Sequence, residues 1–162
     1  MQERDTFFQG LDNIHIDWLP LNGDLRTIGS SNAANLEGRF AVDNSMLTWW
    51  QPSDEDIAPI LTTEFLDKSI VRSVRIIWRD IGLDTAKGIK PEPIRYRVEL
   101  ETGKDQWTTI VDRTQSDEDL LIDYRECPPT TGKRARLVIL DSPQGITPAV
   151  AEFTLFGNTT ND

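Results

Sequence analysis

The sequence is poor in the residues on which many enzymes and disulfide-bonded domains depend. Its 162 residues include one histidine, His15, and one cysteine, Cys127. A single cysteine excludes an intramolecular disulfide. The sequence also lacks a Gly-x-Ser-x-Gly elbow, a phosphate loop and a histidine pair that could bind a metal. The many acids gather in loops such as 116–119, which is typical of a solvated face. We therefore predict that the chain is not an enzyme.

Positive charge and long hydrophobic runs are also scarce. Seventeen Lys and Arg residues oppose 27 Asp and Glu residues, which gives a formal net charge of −10. Proteins that bind nucleic acids or anionic membranes usually carry a basic face, and no run approaches the roughly 18 apolar residues of a membrane-spanning helix. We expect no nucleic-acid partner and no membrane insertion. The charged N-terminus lacks a signal core, so the chain is either cytoplasmic or a piece of a longer secreted protein.

Hydrophobic and polar residues alternate with a period of two through most of the chain. Such runs occur at 14–18, 74–79, 94–100, 135–140 and 151–156. Turn residues separate them, and no segment shows a helical period over three turns. This pattern is typical of a β-sandwich. We expect a linker or N-terminal extension with one strand at 1–24, the sandwich domain at 25–157 and a tail at 158–162.

Two short segments about a hundred residues apart carry oxygen-bearing side chains. Asp43 and Thr48 lie in a polar loop, and Glu152 lies in the last alternating run. Ca²⁺ takes about 6–8 oxygen ligands from carboxylates, hydroxyls and backbone carbonyls. A loop carrying Asp43 and Thr48, clamped by Glu152 on the last strand, would supply such a site. The alternative is that these are solvent-facing turn residues with a capping role.

Several motifs occur in an order and spacing typical of one family. They are Ala41-Val42-Asp43 followed by Thr48-Trp49-Trp50, the strand at 74–78, the hairpin at 96–112, the strand at 134–139 and the ending at 151–157. In these motifs the sequence resembles the coagulation factor 5/8 type C, or discoidin-like, domains of the galactose-binding-like superfamily. It is similar in particular to family 32 carbohydrate-binding modules and to the C-terminal modules of family 43 glycoside hydrolases. The resemblance implies an all-β jelly-roll β-sandwich of about eight strands.

The resemblance also implies a structural calcium ion. Carried onto this chain, its ligands would be the carbonyls of Phe40, Ser45 and Ala151, the carboxylates of Asp43 and Glu152, and the hydroxyl or carbonyl of Thr48. The chain departs from the family pattern at Asn44, where glycine is usual. Asparagine tolerates the left-handed backbone conformation better than most residues, so the loop remains possible.

Five tryptophans suggest sugar stacking, because sugar rings present apolar C–H faces that pack on aromatic planes. The alternation and the family pattern place three of them in the core: Trp50, Trp78 and Trp107. Trp49 points away from Trp50 and is the surface candidate. Arg79 and Arg97 could donate hydrogen bonds to sugar hydroxyls or to a carboxylate. The alternative for each arginine is a surface ion pair.

The function that follows is a non-catalytic carbohydrate-binding accessory module, stabilised by calcium, of a larger bacterial glycoside hydrolase. The parent chain would be extracellular, at the cell surface or periplasmic. Its partners would be an oligo- or polysaccharide and the neighbouring catalytic domain, and we expect a monomer. The alternative is a structural domain that packs on its catalytic neighbour and binds no sugar. Glycan binding through Trp49 favours the first hypothesis, and exposed apolar surface around Trp18 favours the second.

Overall fold

The structure is a computed structural model that describes residues 17–160. Its strands are β1 (Leu19–Pro20), β2 (Asn22–Gly29), β3 (Ile60–Ile81), β4 (Arg95–Gly103), β5 (Gln106–Asp112), β6 (Ile122–Asp141) and β7 (Thr147–Thr159). The helical segments in this part of the chain are two 3-10 turns, Gly38–Ala41 and Thr85–Lys87, and neither is long enough to cross a membrane. The prediction of an all-β fold is confirmed.

Two long strands build the sandwich. β3 has 22 residues and β6 has 20, whereas most strands have about five or six. They pair antiparallel, and their register shifts between Glu64 and Ser69 and again between Val71 and Ser73. An unpaired extra residue bends a strand and increases its twist. Because of these bends, each of the two strands contributes its halves to different layers.

The partners of β3 and β6 define the two layers. The first layer contains β2, β4, β5, residues 60–65 of β3 and residues 134–141 of β6. The second layer contains β1, β7, residues 69–81 of β3 and residues 122–132 of β6. Inward-facing side chains from both layers form one hydrophobic core. The predicted β-sandwich is therefore present, with seven continuous strands in the described residues.

The strands extend beyond the domain bounds expected from the sequence. β1 and the start of β2 precede residue 25, and β7 continues past Gly157 to Thr159. Leu19 and Pro20 pair with Gly157 and Phe156, so this part of the N-terminal extension belongs to the sheet. Most of the strand predicted at 14–18 lies outside the described residues.

Two of the three tryptophans predicted for the core lie there. Trp50 is fully buried and Trp78 is 4% exposed. Trp107 is half-buried and lies on the outer face of the first layer, so its prediction is wrong. The guanidinium groups of Arg134 and Arg136 lie 5.7 and 4.1 Å from the centroid of its ring. These groups shield the indole from solvent, so the side chain is accommodated outside the core.

Gly157 allows β7 to pass close to β3. A Cβ atom at this position would overlap the backbone carbonyl oxygen of Ile70, which is held in the sheet. We expect Gly157→Ala to lower the free energy of unfolding by about 2–4 kcal/mol, as measured by denaturant unfolding. Gly23→Ala is the control, because nothing lies within 4 Å of its added methyl group. Equal losses in both variants would contradict the role given to Gly157.

Candidate functional site

One pair of backbone hydrogen bonds fastens the loop before β3 to the C-terminal strand. The Trp50 amide donates to the Val150 carbonyl and the Val150 amide donates to the Trp50 carbonyl, both at 2.9 Å. The Trp50 indole fills the core, and its Nε1 donates to the Ser31 carbonyl at 3.0 Å and to Asn32 Oδ1 at 3.1 Å. The segment 43–50 is thereby held against β7 in a fixed orientation.

Asp43 organises this loop. Its Oδ1 accepts a hydrogen bond from the Ser45 amide at 3.0 Å, and its Oδ2 accepts one from the Thr48 hydroxyl at 2.7 Å. The Thr48 hydroxyl also lies 3.3 Å from the Ser45 carbonyl oxygen. Asn44 has a φ of 58°, the left-handed conformation considered for it from the sequence. The structure thus brings three of the predicted ligand residues into one turn.

Glu152 faces the turn from β7. Its side chain is 3% exposed, and its Oε1 is buried with no hydrogen-bond partner among the described residues. Burial, and after it the charge of Asp43, raises the pKa of Glu152 to about 7 against the opposing effects of Arg75 and the amides of Asn44 and Ser45. Two facing carboxylates with an unpartnered buried oxygen form an arrangement that a bound cation would stabilise.

The remaining predicted ligands are the backbone carbonyls of Phe40 and Ala151. Phe40 lies in the 3-10 turn Gly38–Ala41 that leads into the loop. Ala151 is a bulged residue of β7, with no residue of β3 opposite it. No group of three or more His, Cys, Asp and Glu side chains suited to a metal occurs in residues 17–160. The predicted donors are two carboxylates, a hydroxyl and carbonyls, a hard oxygen set that would fit Ca²⁺ better than Zn²⁺.

Trp49 and Arg79 lie together at the surface. Trp49 is half-buried, and its Nε1 donates to Gln51 Oε1 at 3.2 Å. The guanidinium group of Arg79 lies 4.2 Å from the centroid of the Trp49 ring, and its Nη1 donates to the Met46 carbonyl at 3.1 Å. The loop therefore holds both side chains in place beside each other.

Arg97 belongs to a different surface. It lies on β4 in the first layer, where its Nε is 2.6 Å from Glu99 Oε1. Glu99 also accepts a hydrogen bond from Arg136. The structure therefore places Arg97 in the surface ion pair considered as its alternative, and does not bring it together with Trp49 and Arg79.

A cavity of about 200 Å³ at one end of the core has no counterpart in the sequence analysis. It is lined by Trp78 and Tyr96 and by the acids Asp80, Asp119 and Asp123, among others. The Tyr96 hydroxyl donates to Asp123 at 2.7 Å. Burial, together with the charge of Asp119, raises the pKa of Asp80. The cluster of acids at 116–119 is the one sequence signal for this cavity. Only the fold shows that Asp80 lies near them.

Comparison with known proteins agrees with the architecture. No protein-family model matches the chain, and no curated protein does, whereas solved structures do. The module CpGH89CBM32-5 from Clostridium perfringens, solved in complex with GalNAc-β-1,3-galactose, has a TM-score of 0.67 and 15% identity over 86% of this chain and 100% of that one. The family 32 module of C. perfringens NanJ, solved with galactose, has a TM-score of 0.66 and 12% identity over 86% and 98%.

A third match comes from another genus. Chitosan-binding module 2 of the chitosanase/glucanase from Paenibacillus sp. IK-5, solved with chitotriose, has a TM-score of 0.66 and 21% identity over 85% of this chain and 98% of that one. This chain has the fold of the family 32 carbohydrate-binding modules. The resemblance found in the sequence is thus confirmed at the level of the fold, over nearly the whole length of each module.

Removal of the charge at position 152 should stabilise the protein when no metal is present. Because the pKa of Glu152 is raised from 4.5 to about 7, the folded protein loses stability as the pH rises through this range. Glu152→Gln keeps the side-chain shape without the charge. In EDTA at about pH 8 we expect a higher melting temperature, equivalent to roughly 1–3 kcal/mol, and a much smaller gain near pH 5.

The control for this experiment is Glu92→Gln, which removes an exposed acid of the same type. It should leave the melting temperature nearly unchanged at both pH values. A lower melting temperature of Glu152→Gln in EDTA at pH 8 would show that the Glu152 carboxylate is satisfied in the metal-free protein.

Proposed function

We propose that this chain is a non-catalytic carbohydrate-binding module, stabilised by a structural Ca²⁺ ion, that serves a larger secreted glycoside hydrolase. The observation that carries the proposal is the half-buried Trp49 with Arg79 stacked on it, at the surface of a fold whose solved examples hold sugars. The module would act as a monomer outside the cell. By holding an enzyme on its polymer it would raise the effective substrate concentration without chemistry of its own.

The chemistry of the Trp49 and Arg79 pair suits a sugar ring. An indole offers an apolar plane to the C–H face of the ring, and a guanidinium group offers several donors to its hydroxyls. Arg79 is anchored by the Met46 carbonyl, and Trp49 by Gln51. Because both side chains are already ordered, little conformational entropy would be lost when a sugar binds.

The proposed calcium ion would have a structural role. The carboxylates of Asp43 and Glu152, the oxygen of Thr48 and the carbonyls of Phe40, Ser45 and Ala151 would hold it. The unpartnered buried Oε1 of Glu152 supports this assignment. The ion would supply positive charge between two carboxylates that otherwise repel each other, and it would tie the loop before β3 to the C-terminal strand.

A second candidate function is docking on a catalytic neighbour without sugar binding. An open groove beside β1 favours it, because Leu19 and Leu66, at 65% and 71% exposed, line that groove together with Leu21. Exposed apolar surface of this kind often contacts another protein. The groove lies next to the place where the chain enters the sheet, which is where a preceding domain would be attached.

Thermal melts with EDTA and with Ca²⁺ test the metal site. At about a hundredfold excess of Ca²⁺ over its dissociation constant, a ligand that binds only the folded state adds about 2.7 kcal/mol of stability. We expect a corresponding rise in melting temperature that Asp43→Asn abolishes, with a smaller effect of Mg²⁺, whose preferred octahedral geometry is stricter. A melt that is indifferent to Ca²⁺ would refute the assignment.

A screen against plant and host glycans, followed by affinity electrophoresis on the ligands it identifies, tests the sugar site. Trp49→Ala should weaken binding by about tenfold or more, because it removes the stacking plane. Trp107→Ala is the matched control, since it removes another half-buried, arginine-covered indole from the opposite layer. Equal losses would contradict the role of Trp49. If the folded wild-type protein binds no glycan, the docking function is favoured instead.

A further inference from the structure

On the outer face of the first layer, three arginines form salt bridges with glutamates of β4. The Nε atoms of Arg97 and Arg136 lie 2.6 and 2.5 Å from the two carboxylate oxygens of Glu99. Arg134 makes two hydrogen bonds of 2.6 Å to the carboxylate of Glu101. These three guanidinium groups offer little unpaired positive charge to an external ligand.

The outer face of the second layer carries three arginines of β3 that are not neutralised in this way. Within residues 17–160, Arg72, Arg75 and Arg79 form no salt bridge, although Arg75 is near enough to Glu152 to lower its pKa. Each guanidinium group lies instead over an aromatic ring. The ring centroids are 5.8, 5.4 and 4.2 Å away and belong to Trp18, Phe156 and Trp49, respectively. We call these three pairs the arginine stripe.

The register of the sheet places the stripe on one face. Residues 74, 76 and 78 of β3 lie in the core, so Arg75 and Arg79 point to the opposite side. Arg72 is the extra residue of a bulge, and its Nε donates to Asn158 Oδ1 at 3.0 Å, on the outward side of β7. At about 3.3 Å per residue the stripe is roughly 20 Å long, a length that suits an oligomer better than a single sugar ring.

Arg75, at the centre of the stripe, makes few hydrogen bonds within the described residues. Its Nε is buried without a partner in the described structure, and its Nη2 reaches Thr154 Oγ1 only at 3.5 Å, the outer limit for a hydrogen bond. Tyr124 lies opposite Arg75 on β6 and is 48% exposed, which adds an aromatic ring to the same open surface. The exposed acid Glu126 is further along β6, opposite Ser73.

We propose that the arginine stripe binds an acidic polysaccharide, with uronate carboxylates on the guanidinium groups and a sugar ring against the exposed Tyr124. This inference rests on the proposed carbohydrate-binding function and names its ligand class. Guanidinium groups pair with carboxylates through two parallel hydrogen bonds, so a uronate uses donors and charge that a neutral glycan leaves unpaired.

The same surface suits a membrane less well. The net charge of −10 would repel an extended anionic surface, whereas a single polysaccharide strand contacts only the stripe. Trp18, Phe156 and Trp49 are half-buried beneath their arginines, so none of them projects far enough to insert among lipids.

Affinity electrophoresis of the full chain through gels that contain polygalacturonate tests the proposal. We expect retardation that weakens as salt rises from about 0.05 to about 0.5 M. We also expect binding to the methyl-esterified polymer, which keeps the rings and loses the charge, to be at least about fivefold weaker. The double variant Arg72→Gln/Arg75→Gln should weaken binding about tenfold or more. The control Arg95→Gln/Arg134→Gln removes the same charge from the first layer and should change binding by less than about twofold.

Several results would overturn the proposal. They are equal weakening by the two double variants, equal retention by the methyl ester, or binding to phosphatidylserine vesicles without retention by polygalacturonate. Circular dichroism melts of each variant show whether it is folded, so that a loss of binding is not confused with unfolding. If the protein binds a neutral glycan through Trp49 but does not bind polygalacturonate, only the stripe proposal fails. If no glycan of any kind binds, the proposed function fails with it.

Discussion

The candidate site depends on one contact, the pair of hydrogen bonds between Trp50 and Val150. With the Trp50 indole packed in the core, the preceding side chain must point outward, and Trp49 therefore meets Arg79 at the surface. The same attachment holds the Asp43 turn against β7, where it faces Glu152. A single contact between the loop before β3 and the C-terminal strand thus positions both the oxygen ligands and the aromatic surface.

The carboxylate of Glu152 interacts with charged groups on both sides of it. Glu152 is buried between Asp43, which raises its pKa, and Arg75, which lowers it. Glu152 therefore interacts electrostatically with both the proposed calcium site and the arginine stripe.

The alternation of the sequence was sufficient to predict the β-sandwich and the burial of Trp78, because it reports which face of a strand packs inward. It failed for Trp107, since an outward indole can be covered by arginines such as Arg136 from a strand distant in the sequence. The bulges that allow β3 and β6 to run through both layers cannot be recognised in the alternation of hydrophobic and polar residues. Oxygen chemistry and the family resemblance suggested Asp43 and Glu152 as calcium ligands, but only the fold shows that Glu152 has a buried oxygen without a partner in the described part of the chain.

A crystal structure of the protein grown with Ca²⁺, examined with an anomalous difference map, tests most directly the claim that the loop and β7 together form a metal site. We expect a peak between the carboxylates of Asp43 and Glu152, with Glu152 Oε1 bound to it and Thr48 at its edge. An empty position would contradict the claim, above all if Glu152 were found protonated and hydrogen-bonded directly to Asp43.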